Sequence, residues 1–428
     1  MRIVYTDDQS FEAEMNRLKN RGKVIDPLIY EAVSKIVRDV AERGDEALFE
    51  YTQQFEGFTL DGKSVEVSAE ERKLALQKIS TGDRELLELA ALRIEKFHRK
   101  QCVNSWFTID DDGVELGQLI RPLERVGIYA PGGLAAYPST VLMAAIPARI
   151  AGVGEIILTT PSKEKEMNPI ILGAADVSGV DRIFKVGGAQ AIAALAYGTA
   201  SVPAVDKIVG PGNVYVATAK QMVYGSVGID MIAGPSEIVI IADGTARASV
   251  VAADLLSQAE HDEMASAVLL TPLKEFARNV AAEVDSQIKE LKKSDVAARS
   301  IENYGAIIVT EDMDEALSIV NRFAPEHLEL IVRKPREFLG KIKNAGAIFI
   351  GGSSPEVLGD YIAGSNHILP TGGTARFSSA LGVYDFVKRM NIVSFSDSSL
   401  LKHGESVKRF ADIEGLEAHG KSITRRLD

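Results

Sequence analysis

The chain has 428 residues, 46% of them hydrophobic and 25% charged, with a formal net charge of −12. That length gives room for roughly two to four structural units, and the composition is that of an ordinary folded protein. The acidic balance argues against a general nucleic-acid binder; the start of the chain lacks a signal peptide's apolar core, and no run approaches the ~20 apolar residues of a membrane helix.

The single cysteine, Cys102, leaves no intrachain disulfide and no thiolate metal cluster, which fits a reducing cytoplasm. The first hundred residues read as helical: Ile29, Val33, Ile36 and Val40 make one apolar stripe, and residues 84–100 make another that carries His98, read as solvated. From residue 125 onward short apolar strands alternate with helices. Strands are expected at 155–160, 182–188, 207–210, 237–243, 267–271, 305–310, 328–332 and 346–352. Strands this apolar are buried on both faces, as in a parallel sheet covered by helices. The predicted fold class is therefore α/β. It has two atypical Rossmann-like parallel-sheet domains without GxGxxG, a helical N-terminal segment and a small C-terminal helical tail.

The expected divisions are 1–124 for the N-terminal helical segment, 125–243 and 244–380 for the two α/β domains, and 381–428 for the tail. The tail is polar, with His403 read as solvated, and too thin to bury its own core. Such a tail packs on something larger, either its own chain or a neighbour.

Glycine turns follow several strands: "APGGLAAYPS", "VGGAQAIAALAYG", "VGPGNVYVATAK" and "AGPSE". Each alone fits a tight turn. Together they line one edge of a sheet, where α/β folds bind ligands, and admit a nucleotide or phosphate without requiring one. Four of the six histidines, His261, His327, His367 and His419, stand beside chemically useful neighbours. Val251, Leu255 and Gln258 follow helical spacing, so Gln258 faces inward, and His261 projects from the same side. Two inward polar groups need partners, since an unpaired one costs about 1–3 kcal/mol. With Asp360 they suit zinc or a similar divalent ion; alternatively Gln258 caps a helix end and Asp360 opens a turn. Glu326–His327 follows Pro325 at a helix-to-strand junction and reads either as a water-activating and general-base pair or as an ordinary surface pair.

The blocks "VGIYAPGG", "VGGAQAIAALAYGT", "GPGNVYV", "AGPSE", "SQAEHD", "PEHLEL", "GDYIAGSNHILPTGGTARFSS" and "EGLEAH" together resemble the histidinol dehydrogenase family, in its order, over residues 125–419. The resemblance implies a cytoplasmic homodimer that oxidises L-histidinol through L-histidinaldehyde to L-histidine, the last step of histidine biosynthesis, reducing two NAD in turn. It implies one zinc per subunit held by Gln258, His261, Asp360 and His419, the last supplied by the partner's C-terminal tail. The zinc would position the substrate through its imidazole and amino nitrogens. It further implies that His327 is the general base and Glu326 activates water. Ser236, His367 and Glu414, the last again from across the dimer, would contact substrate together with the metal-binding set and His327. Tyr129, Gln190 and Asn213 match cofactor-contacting positions. Two departures are Ser365, where proline is expected before "NH", and Leu134, where a basic residue is common after "PGG". The alternatives are a paralogue oxidising another small polyol or sulfonate, a zinc hydrolase using Glu326 to activate water, or a non-catalytic metal- or nucleotide-binding scaffold.

Overall fold

In chain order the first strands are β1 (Arg2–Tyr5), β2 (Trp106–Ile109), β3 (Glu115–Pro122), β4 (Arg125–Tyr129), β5 (Glu155–Thr159), β6 (Arg182–Phe184) and β7 (Lys207–Val209). They continue with β8 (Gly228–Ile229), β9 (Glu237–Ala242), β10 (Ser266–Thr271), β11 (Gly305–Val309), β12 (His327–Ile331), β13 (Ala347–Ile350) and β14 (Val387–Ser394). The structure, a computed structural model, describes residues 1–22, 26–132, 136–162 and 166–427; Leu134 falls outside them. The chain divides into a larger unit, residues 1–101 with 124–386, and a smaller one, residues 102–123 with 387–428.

The larger unit holds two parallel sheets. One has the order β6-β5-β4-β7-β8 and the other β1-β11-β10-β9-β12-β13. β9, β10, β11 and β12 are buried along their whole length, as strands covered by helices on both faces must be. Their side chains alternate between two cores. Val239, Ile241, Leu328 and Leu330 face one, and Ile238, Ile240 and Ile331 face the other, with Val251 and Leu255 of the helix Ala248–Ala259. The first sheet is buried by its own helices and by two N-terminal ones, Pro27–Arg43 and Asp45–Glu56, through Val33, Ile36, Val40, Leu48 and Tyr51.

These pairings move the expected boundaries. Glu237–Ala242, read as the end of the first α/β domain, pairs with β10 and β12 and belongs to the second sheet. The N-terminal segment begins with a strand, because Arg2–Tyr5 pairs with β11, and its helices are built into the larger unit. Four residues are too few for a periodic signal to separate a strand from a helix start. In the smaller unit, β14 pairs antiparallel with β3, which pairs with β2, so the tail finds its sheet partners in residues 102–123. Two helices, Asp397–Ile413 and Glu417–Leu427, pack on each other to complete this unit.

Both supposedly solvated histidines have partners. His98 is fully buried, with Nδ1 2.8 Å from the Ile94 carbonyl, because its helix Thr81–His98 turns that end inward. His403 is half-exposed and lies 3.1 Å from the Asp112 carboxylate.

Candidate active site and metal centre

The chain enters β12 through a strained corner. The helix Met313–Phe323 ends at Ala324, whose φ of 54° makes it the one non-glycine residue with positive φ among those described. An L-residue gives up about 1–2 kcal/mol in that conformation, and such strain concentrates at functional sites. Pro325 follows, then Glu326 and His327, both buried. The pair therefore sits at the N-terminal end of β12, beside the start of β9.

The first residue of β9 organises this corner. Glu237 is paired with the buried Arg21 at 2.6 Å, so its charge is balanced. Its carboxylate also accepts the amides of Glu326 at 3.3 Å and Gly372 at 3.1 Å, while its own amide donates to Glu326 Oε2 at 2.9 Å. Among the described residues no lysine or arginine pairs with Glu326, whose Oε2 lies 3.7 Å from the neutral His327 Nδ1, and burial pushes its carboxyl well above the usual range, helped by the charges of Glu237 and Asp360. His327 Nδ1 lies 3.1 Å from the Glu237 carbonyl. A carbonyl only accepts, so the neutral ring carries its proton on Nδ1 and leaves the Nε2 lone pair free. That Nε2 is buried and has no hydrogen-bond partner. Burial pushes the imidazole down to about 4, which keeps it neutral and proton-accepting at physiological pH.

Opposite this pair, nitrogen and oxygen donors converge. One ligand atom each from His261, Glu356 and Asp360 lie within 4.8 Å of one another. Gln258 is buried, as its helical spacing predicts, and neither its Oε1 nor its Nε2 has a partner. His261 differs from expectation: it is exposed, just beyond the helix Ala248–Ala259 and its terminal Glu260. Helical spacing fails there because the helix has ended. The His261 ring lies 2.9 Å from the Ser257 carbonyl through Nδ1, which leaves Nε2 free to ligate. Orphaned amide atoms beside a histidine and two carboxylates, with no thiolate, are a donor set that fits zinc or a related divalent ion. Glu356 is absent from the sequence-derived set. Its signal is spacing, four residues before Asp360 on the helix Glu356–Tyr361.

His367 borders this cluster, with Nδ1 3.8 Å from Asp360 and Nε2 3.2 Å from the Thr140 hydroxyl, and burial lowers its pKa. Ser236, half-buried, immediately precedes Glu237 and accepts the Ser266 amide through its carbonyl at 3.0 Å. Glu414 and His419 belong to the smaller unit, where both are exposed, at the end of Asp397–Ile413 and within Glu417–Leu427.

The residues matched to the cofactor lie at the C-terminal ends of strands in the first sheet. From β4 the chain builds outward through β5 and β6 and then returns to place β7 on the other side of β4, the reversal that opens a ligand crevice. Tyr129 ends β4 and is buried; its hydroxyl accepts the Gly188 amide at 3.2 Å, and burial pushes its pKa up to about 12. Gln190 follows β6, buried, with Oε1 unpartnered. Asn213 follows β7 and is exposed; its Oδ1 caps the helix Val214–Val223 by accepting the amides of Tyr215 and Val216, both at 3.1 Å. Gly210, with φ 110°, runs so close to the Tyr129 carbonyl that a Cβ would collide with it.

A family model described as histidinol dehydrogenase matches residues 19–427. The histidinol dehydrogenase of Syntrophotalea carbinolica is 52% identical over 427 residues, covering 100% of this chain and 99% of its own. That of Geobacter metallireducens is 53% identical over 428 residues, covering 100% and 98%. The crystal structure of histidinol dehydrogenase from Elizabethkingia anophelis superposes with a TM-score of 0.93 at 36% identity, covering 100% of this chain and 98% of that one.

Proposed function

The chain belongs to the histidinol dehydrogenase family, and from that premise we propose that it oxidises L-histidinol through L-histidinaldehyde to L-histidine in two successive NAD-dependent steps in the cytoplasm. It is an oxidoreductase of histidine biosynthesis. The observation that carries the mechanism is His327 Nε2, buried, neutral and without a partner, beside a buried Glu326. His327 takes the hydroxyl proton of the alcohol at Nε2. NAD would supply the acceptor for the hydride lost from the carbon that bears this hydroxyl. Glu326 then removes a proton from the water that adds to the aldehyde; the burial that raises its carboxyl makes its ionised form the stronger acceptor. His327 serves again as base when the resulting hydrate is oxidised.

Gln258, His261 and Asp360, with His419 of the partner subunit, would hold one zinc, and their orphaned or free donor atoms support this reading. The zinc, when bound, supplies an anchor for the substrate's nitrogens, so neutral Gln is an acceptable ligand: anchoring needs geometry more than acidity. Ser236, His367 and the partner subunit's Glu414 would complete the substrate contacts, and Tyr129, Gln190 and Asn213 those to NAD. Keeping the aldehyde bound between steps limits its water to the one Glu326 activates and keeps it from amines in solution. A homodimer is further supported by the smaller unit, which leaves Trp106, Phe107, Ile109, Leu401, Phe410 and Ile413 exposed.

The deciding measurement is NADH formed per histidine produced from histidinol. A ratio near two is expected; zinc-loaded protein that reduces no NAD would sink the proposal. Mixing His419→Ala with His327→Asn subunits regains activity if the site is shared, and verified exchange without recovery counts against the dimeric site.

A further inference from the structure

Behind the metal ligands lies a carboxylate that the mechanism leaves unused. On β12 the odd-numbered residues share one face of the sheet. Ile331 on that face joins the core of Ile238, Ile240 and Leu255. Glu329 occupies the same face, paired in register with Ile240 and Phe349 and almost completely buried. A carboxyl among isoleucines is costly, by several kcal/mol when unpaired, so its retention needs a compensating role.

Its contacts indicate that role. Glu329 Oε1 accepts the amide of Glu356 at 2.7 Å. Glu356 opens the helix Glu356–Tyr361, whose N-cap residue is Pro355 and makes no side-chain cap. This helix has six residues and carries Asp360 in its last turn. A helix that short does not sustain itself and takes its position from tertiary anchors. Glu329 supplies the missing cap from a different element. A second anchor comes from the helix that bears Gln258, where the Ser257 hydroxyl donates to Glu356 Oε2 at 3.1 Å. A third is Gly359, packed so tightly on Phe349 that a Cβ would meet its ring at 2.7 Å. Beside Glu329 lies the Asp254 carboxyl, one turn before Gln258, and burial together with this neighbour raises the pKa of Glu329, so the two acids share a proton. Each acid thus stands next to a site residue on its own element: Glu329 with His327, Glu356 with Asp360, Asp254 with Gln258.

We propose that Glu329 is a positioning residue for the metal centre, holding Asp360 in place by capping its short helix from β12. The proposal rests on the zinc site put forward above. The test is zinc affinity of the metal-stripped full-length protein, titrated with zinc alone against a chromophoric chelator, with thermal unfolding recorded for every variant. Outer-shell partners of metal ligands are typically worth 10–100-fold in affinity, so Glu329→Leu and Glu329→Asp, which respectively lack the acceptor and its reach, weaken zinc by about that factor. Glu329→Gln keeps an acceptor at the same length and binds within roughly threefold of the native protein. Zinc loss in Glu329→Asp at unchanged thermal stability, restored in Glu329→Gln, is what a purely structural role would not produce. Asp360→Asn is the reference. If it loses zinc while Glu329→Asp binds like the native protein, the positioning role is overturned. A Glu329→Gln protein as weak as Glu329→Leu overturns it too, since charge and not capping would then matter. If Asp360→Asn itself binds zinc like the native protein, the metal site falls and the positioning role falls with it. The Asp and Gln variants carry the test alone should Glu329→Leu not fold.

Discussion

The two parallel sheets of the larger unit present opposite edges to their chemistry. In the first sheet, Tyr129, Gln190 and Asn213 follow the C-terminal ends of strands, on glycine turns. In the second, Glu326, His327 and Glu237 stand at the N-terminal ends of β12 and β9. The difference extends to how the polar groups are satisfied. At the first edge Tyr129 accepts the Gly188 amide and Asn213 caps its helix, while Gln190 Oε1 is left buried without a partner. At the second edge, Gln258, His327 Nε2 and Glu356 Oε1 are buried with nothing to bond. Leaving such atoms unpaired costs stability, and the cost is recovered only when a ligand arrives. The second edge is thus prebuilt for a ligand. The first leaves fewer such atoms unpaired, Gln190 Oε1 among them.

The contrast predicts that substitutions at the second edge damage function while sparing or raising stability, and that those at the first cost stability as well as function. The largest effect is expected at His327. His327→Asn should lower kcat by about 10²–10⁴-fold with zinc content unchanged, measured by steady-state kinetics and metal analysis; loss of zinc would make His327 a ligand. The same variant isolates a pH effect in metal-free protein. The folded pKa of His327, about 4, lies below its ordinary 6.5. Its contribution to stability is therefore full above about pH 6.5 and is lost as pH falls toward 4. Over that window the native protein should lose up to about 3 kcal/mol relative to His327→Asn in denaturant titrations.

Next in size is Gln258→Leu, which replaces an orphaned amide by an apolar group. Metal-stripped protein should gain about 1–3 kcal/mol while zinc affinity falls, read by chemical denaturation and chelator competition. A less stable variant would mean that the amide already has partners. The smallest effect belongs to the first edge. Asn213→Ala should lose about 1 kcal/mol through its helix cap and raise the KM for NAD, whereas Asn213→Asp keeps the cap and isolates the amide nitrogen. A native KM in Asn213→Asp would limit this residue to capping.

Several parts of this arrangement are legible residue by residue. The apolar strands, the inward-facing Gln258 and the Glu326–His327 junction follow from local periodicity and from proline. Other parts are not. β1 is too short to register, and the membership of Glu237–Ala242 is a matter of pairing, which residues distant in sequence decide. His98 looks solvated on a charged helix until that helix turns it inward. Glu356 and Glu329 read as ordinary acids, because nothing local marks a carboxylate as buried.

By itself the sequence determined the α/β class, the family, and which residue types are available for acid–base and metal chemistry, since these depend on composition, spacing and motif. Only the tertiary structure decided which nitrogen of His327 is free and which carboxylates are balanced by a cation. It also decided which edge of each sheet bears the chemistry. The reason is physical: protonation, ligation and orphaned polar atoms depend on what lies within a few ångströms in space. At this site those neighbours come from β9, β12 and the helices carrying Gln258 and Asp360, spread over more than a hundred residues of chain.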